Sequence, residues 1–265
     1  MKASLIRSWG AVPLTALVAV LMMWPMTASA QLKVLISGGF SGPYEQLLPE
    51  FERITGIKVA TGSGSSQGKG PQTIASQLAR GVPTDVVILS REGLGELIAA
   101  RHIAAGSDVD LARTPLGVAV RAGAPRPDVS TVEAFRQVAL KARAIAVPSS
   151  TSGIFLAKEV FPRLGIADQV NVKATPRGTG AAAMLAAGEA DIAVMPVSEI
   201  VHAPGIELAG VIAEEMQLNQ VFAAAVTATA TEREAAQRLI AFLASARASA
   251  AIRSGGMEPL GARRP

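Results

Sequence analysis

Cysteine is absent from the 265-residue chain, histidine occurs twice, and aromatic residues make up 4% of it. Without cysteine there is no disulfide, so stability must come from apolar cores, and a chain of this length can build one or two. Two histidines and no H-E-x-x-H pattern leave nothing for a zinc site, and no metal or cofactor is expected. Few aromatics and no dense Lys/Arg block exclude a nucleic-acid partner. Long apolar runs are missing too, with one exception. Lys2 and Arg7 precede an apolar stretch from about Trp9 to Trp24, which ends in "TASA" before Gln31. A basic start, an apolar middle and an A-x-A end make a secretory signal peptide over 1–30, with cleavage after Ala30 and export to the periplasm. Pro13 and Pro25 interrupt the run, which argues against a membrane anchor of ~20 clean apolar residues. Residues 1–30 hold two positive charges and no negative ones, so the formal +4 falls to +2 and the pI of 9.8 says little about partners.

After Gln31 the chain alternates short β-type runs with helical stretches. "LKVLIS" (32–37), "IKVATG" (57–62) and "TDVVILS" (84–90) read as strands. Residues 43–54, 72–81 and "EGLGELIAA" read as helices between and after them. The alternation resumes after the loop "APRPDVS". "TVEAFRQVALKA" is a helix capped by Thr131 or Ser130. "AIAV", "VNVKAT" and "DIAVMPVSEI" are strands, and "SGIFLAKEVFPRLG" and "GAAAMLAAG" are helices. This pattern predicts an α/β fold of two lobes, each a mostly parallel sheet flanked by helices. Lobe I is expected over 31–115, lobe II over 116–203, and a return to lobe I with C-terminal helices over 204–265. "LARGVPTDVVIL" (78–89) and "LAAGEADIAVM" (185–195) share one plan of helix end, glycine, acidic residue and buried strand. That is either an internal repeat or the common form of any helix-to-strand junction.

Four loops rich in Gly and Ser follow strands and precede helices: "SGGFSG" (37–42), "TGSGSSQGKGPQ" (61–72), "PSSTSG" (148–153) and "PRGTG" (176–180). The second is not a Walker loop. Ser63 stands where the first glycine belongs, and Gly70 where magnesium needs Ser or Thr. The dinucleotide fingerprint fails at Gln67. Gly64-Ser65-Ser66-Gln67-Gly68 does match the G-x-S-x-G elbow of hydrolases, with Asp191 and His202 as the available partners. However, Gly68, Gly70 and Pro71 keep the chain irregular where the elbow demands a helix. An anion cradle uses the same residues better: glycines let backbone N–H groups converge, hydroxyls donate, and helix amino ends add their dipole. Loops at the carboxyl ends of parallel strands are where α/β folds bind ligands.

"LKVLISGGFSGPYEQLLPEFERITGIKV", "TIASQLARGVPTDVVILS", "VDLARTPLGVAVRAGAPRPDVST" and "GEADIAVMPVSEI", in this order and spacing, resemble the periplasmic solute-binding proteins of ABC importers, in the molybdate-binding-like group. The resemblance implies two lobes hinged on two crossover strands, closing on a small anion, with no chemistry performed. It implies a monomer that delivers its ligand to an inner-membrane ABC permease. Carried over by position, the ligand-binding residues are Gly38, Gly39 and Ser41 after the first strand, and Ser65 and Ser66 after the second. In lobe II they are Ser150, Ser152, Gly153, Met195 and Ser198, and the loop "PRGTG" adds Arg177, whose guanidinium can clamp a carboxylate with two bonds. Gly39 replaces the usual serine, and Met195-Pro196-Val197-Ser198 lacks the tyrosine that molybdate binders often carry. With Lys69 in a longer loop and Arg177 facing it, the ligand is either a molybdate-like oxyanion or a small di- or tricarboxylate. A secreted serine hydrolase using Ser66 stands as the alternative from another class.

Overall fold

The structure is a computed structural model that describes residues 31–261. The expected signal peptide over 1–30 and its expected cleavage after Ala30 lie outside the described residues. Among those residues no helix is long and apolar enough to cross a membrane.

The chain folds into two sheets. The first contains β1 (Leu32–Ile36), β2 (Val59–Ser63), β3 (Val86–Ser90), β4 (Val109–Thr114), β10 (Gln220–Val226) and β11 (Glu258–Pro259), in the order β11-β4-β10-β3-β1-β2. The second contains β5 (Leu116–Arg121), β6 (Ile145–Pro148), β7 (Val172–Thr175), β8 (Ile192–Pro196) and β9 (Ile206–Val211), in the order β7-β6-β8-β5-β9. In each sheet three strands run parallel, β2-β1-β3 and β7-β6-β8, and the next strand joins antiparallel. The helices are α1 (Ser41–Thr55), α2 (Ile74–Ala79), α3 (Arg91–Ala99), α4 (Val132–Lys141), α7 (Gly178–Ala186), α8 (Arg233–Leu243) and α9 (Ser249–Ser254). One further helical run joins α5 (Thr151–Phe155), a π-turn (Leu156–Val160) and α6 (Phe161–Arg163).

The central strands are apolar on both faces because both faces are covered. Val86 and Ile88 of β3 enter one core cluster, and Val87 and Leu89 the other, beneath α3. Ile192 and Val194 of β8 divide from Ala193 and Met195 in the same way. Thr73, Ser90 and Thr131 cap α2, α3 and α4 through their hydroxyls, accepting from Ser76, Gly93 and Ala134 amides. The cap of α4 is thus Thr131, one of the two residues expected.

The lobes connect twice, from β4 into β5 through Pro115 and from β9 into β10 through residues 212–219. The expected return at 204 is therefore corrected. Residues 206–211 form β9, which pairs with β5 and extends the second sheet before the chain crosses back. Its mixed "IELAGV" run, partly exposed along most of its length, lacks the buried apolar signature of the inner strands.

The 78–89 and 185–195 segments are structurally equivalent. Gly81 and Gly188 both take positive φ, at 77° and 75°, where a side chain would be strained. Asp85 then accepts from the Lys33 amide at 2.9 Å, and Asp191 from the Arg143 amide at 2.7 Å. Asp85 thereby ties the entry of β3 to β1, and Asp191 ties the entry of β8 to the chain leading into β6.

Candidate functional site

Five of the six parallel strands, β1, β2, β6, β7 and β8, point their carboxyl ends at one cavity between the lobes. Its space, including the mouth, is about 300 Å³. The chain turns sharply after each strand, and the turns supply the walls.

From the first lobe come Ser37, Gly38 and Gly39 after β1, and Gly64, Ser65 and Ser66 after β2. Gln220 and Phe222 of β10 form the floor. A Cβ on Gly39 would run into the Phe222 ring, so glycine is what lets this loop lie over β10. From the second lobe come Ser150, Thr151 and Ser152 at the start of the 151–163 helical run, then Pro176, Arg177 and Gly178 after β7. Pro196 and Glu199 follow β8.

The lobes are closed on one another. Ser65 Oγ donates to the Pro176 carbonyl at 2.6 Å, and Gln67 N–H donates to Ser150 Oγ at 3.2 Å. The Ser90 and Thr151 hydroxyls, both buried, meet at 2.7 Å. Gly68 lies so near the Ser149 carbonyl that a Cβ would sit 2.6 Å from it.

Inside this closed boundary several polar atoms have no partner. Among the described residues, the buried side-chain atoms without a hydrogen bond are Ser37 Oγ, Arg177 Nε, Gln220 Oε1 and Ser198 Oγ. The first three belong to residues lining the cavity. Buried polar groups are nearly always paired in folded proteins, so a cluster of orphans in one cavity marks a place where another molecule supplies the partner.

Glu199 is the chemically distinctive wall residue. It ends the 3-10 turn Val197–Glu199, and its carboxyl fits into a slot between two glycines on opposite lobes. A Cβ at Gly38 would overlap Glu199 Oε1, and one at Gly178 would sit 2.5 Å from Oε2. Although part of the residue remains accessible, desolvation of the carboxyl pushes its pKa up to about 7, against the opposing pull of the Arg177 charge and the Gly178 amide.

The structure brings together Gly38, Gly39, Ser65, Ser66, Ser150, Ser152 and Arg177 of the expected residues. It places the others elsewhere. Met195 is fully buried in the core with Ala119 and Ala146, because strand alternation turns it away from the cavity that its neighbour Pro196 lines. Gly153 is a packing position, its α-carbon pressed against the Pro148 carbonyl. Ser41 begins α1, bonding the Gly38 carbonyl at 2.7 Å, and with Ser198 it lines a second, outer groove of about 920 Å³ rather than the inner cavity. Lys69 is exposed and outside the lining, flanked by Gly68 and Gly70 at φ 103° and 116°.

The hydrolase alternative is also corrected. Ser66 Oγ accepts from the Ser90 amide at 3.0 Å, and no helix begins until Ile74. Asp191 pairs with Arg143, and His202 Nε2 lies 2.9 Å from the Ser254 carbonyl, so no triad assembles.

Sequence reasoning missed Glu199, Gln220, Thr151 and Phe222. The available signals were a lone glutamate directly after a buried strand and a glutamine leading an all-apolar one. A polar residue at either place needs a partner.

Among known proteins, the family described as bacterial extracellular solute-binding protein matches residues 32–258. Over 257 residues the chain is 35% identical to an aconitate isomerase from a Pseudomonas species, covering 94% of this chain and 97% of the relative. The periplasmic molybdate-binding protein of Azotobacter vinelandii has the same fold, at 21% identity and a TM-score of 0.65 over 86% of this chain and 98% of that one. So does the sulfate-binding protein of Mycobacterium tuberculosis, at 18% identity and a TM-score of 0.69 over 87% of each. With two closed lobes, a cavity at the strand ends and a family match spanning nearly the whole described chain, this protein belongs to the bacterial extracellular solute-binding proteins.

Proposed function

We propose that this protein binds a small polycarboxylate, of the size of a three-carboxyl propene acid, in the cavity between its lobes. The observation that carries the proposal is Arg177, whose guanidinium belongs to the cavity wall with a buried, unpaired Nε. A planar fork of donors matches a carboxylate with two bonds, whereas a tetrahedral oxyanion is best held by a compact shell of neutral donors. The backbone amides after β1 and at the α7 start, with the Ser37 hydroxyl, would hold further carboxyl oxygens. Glu199 supports the same reading. A wall carboxyl that can carry a proton near neutrality tolerates an organic acid whose own carboxyls share protons. It opposes a compact dianion of fixed charge. The aconitate isomerase relative handles a ligand of this class.

A molybdate-like oxyanion is the second reading, and the small cavity of the closed arrangement is what favours it. In either case the protein acts as a monomeric exported receptor that passes its ligand to a membrane permease.

Thermal unfolding of residues 31–265 against cis-aconitate, trans-aconitate, tricarballylate, citrate, molybdate and sulfate tests the proposal. A ligand at 100 times its Kd adds about 2.7 kcal/mol, a rise of roughly 5–10 °C in Tm for a protein of this size. The tricarboxylates should produce that rise and the inorganic anions should not. A shift with molybdate alone would reverse the assignment.

A further inference from the structure

Glu199 has two faces. It lines the inner cavity beside Arg177, and it also lines the outer groove with Glu45 of α1, Thr179 of α7 and His202. Simple ligand holding does not call for such a residue: an ionised carboxylate repels an anion, and a glutamine would donate better. Its slot is formed by glycines on both lobes, Gly38 and Gly178, so the carboxyl reaches this position against both only when the lobes are closed. Its placement in the wall and its contact with a solvent-facing groove are those of a group that exchanges protons.

We propose that Glu199 is a catalytic acid-base residue, moving a proton between two carbons of a bound unsaturated tricarboxylate. The inference rests on the polycarboxylate reading of the cavity. In the step, the Glu199 carboxylate takes a proton from the methylene carbon next to the double bond. The C–H electron pair becomes a new C=C bond to the central carbon. The old π pair moves out to the former vinyl carbon and its carboxylate, where Arg177 and the orphaned donors offset the added charge. Glu199 then returns its proton to the former vinyl carbon, forming the new C–H bond. No atom is gained or lost, no oxidant is needed, and Glu199 is regenerated. Because the double bond has moved, its geometry can be set anew, so cis- and trans-aconitate interconvert. A base works best with a pKa near the working pH, and burial of this carboxyl supplies that condition.

The test monitors cis-aconitate by proton NMR with wild-type protein and Glu199→Gln, alongside thermal shifts with tricarballylate, which has no double bond to move. Wild type should form trans-aconitate in proportion to protein added. Glu199→Gln should lose at least ~100-fold of that rate while tricarballylate still raises its Tm. If tricarballylate shifts wild type but no isomer forms above the buffer rate, catalysis is overturned and the binding reading survives. If Glu199→Gln stays as active as wild type, the assignment to this residue is wrong. If no tricarboxylate shifts Tm, both readings fall. Should Glu199→Gln not melt cooperatively, Glu199→Asp takes its place, with reduced but measurable turnover expected.

Discussion

The side-chain amide of Gln217 clasps Leu116 at two points: its Oε1 accepts from the Leu116 N–H at 2.8 Å, and its Nε2 donates to the Leu116 carbonyl at 2.9 Å. The same Nε2 reaches the Ile212 carbonyl at 2.8 Å. One side chain therefore fastens the two crossings between lobes to each other. Gln217→Ala should cost about 2 kcal/mol, because it strips partners from backbone groups at the hinge. Calorimetry should show Tm lower by roughly 4–8 °C. A change within one degree or so would mean that the clasp carries no weight.

Asp85 anchors the first lobe. It accepts from the amides of Lys33, Thr231 and Glu232, at 2.9, 2.8 and 3.2 Å. Burial alone would raise its pKa, but these bonds outweigh it and hold the carboxyl below its ordinary value. The stabilisation is present above the unfolded-state value near 4 and disappears as pH falls through the folded one. Asp85→Asn should lower stability at pH 7 by about 1.5–3 kcal/mol, and urea titrations should show the gap to wild type closing in acid.

Glu199 should behave in the opposite sense. Its folded-state pKa lies above its unfolded one, so stability is fullest in acid and declines as pH rises from about 4.5 towards 7. Glu199→Gln should therefore stabilise the protein at pH 8 by roughly 2–3 kcal/mol. The advantage should vanish near pH 4. Equal melting curves at pH 8 would show that the carboxyl is well solvated after all.

A methyl group at Gly38 would meet the Glu199 carboxyl across the cleft and hold the lobes apart. Gly38→Ala should weaken tricarboxylate binding at least about tenfold, since closure contacts such as Ser65 to Pro176 would be lost. The unliganded Tm should move little. Titration calorimetry with tricarballylate reads the effect directly, and unchanged affinity would argue against a closing motion at this point.

Much of the fold is legible in the chain. β3, β6 and β8 announce themselves because burial on both faces demands unbroken apolar runs. The edge strands β2 and β7 show only as short β-type runs between helices, and Gly-Ser turns after β1, β2, β6 and β7 mark the strand ends where the cavity lies. β4 and β9 are hidden because each sits near a sheet edge, where "VDLART" and "IELAGV" carry charge or exposed positions. Arg177 can be found because it stands in a glycine loop. Glu199 cannot, because its meaning depends on Gly38, from a distant part of the chain, offering no side chain. Met195 misleads because distance along the chain says nothing about which face of a strand a residue occupies.

The placement of β10 between β3 and β4 has a consequence for assembly. Lobe II is one continuous segment, β5 through β9, so it possesses all its strands as soon as residue 211 is available. Lobe I cannot complete its sheet until β10 arrives, because Phe222 pairs with Ser90 on one side and Ala112 on the other. The second lobe can thus nucleate on its own, while β3 waits with an unpaired edge, and the late-forming lobe is the one that sets the slow step of folding and the exposure to misassociation.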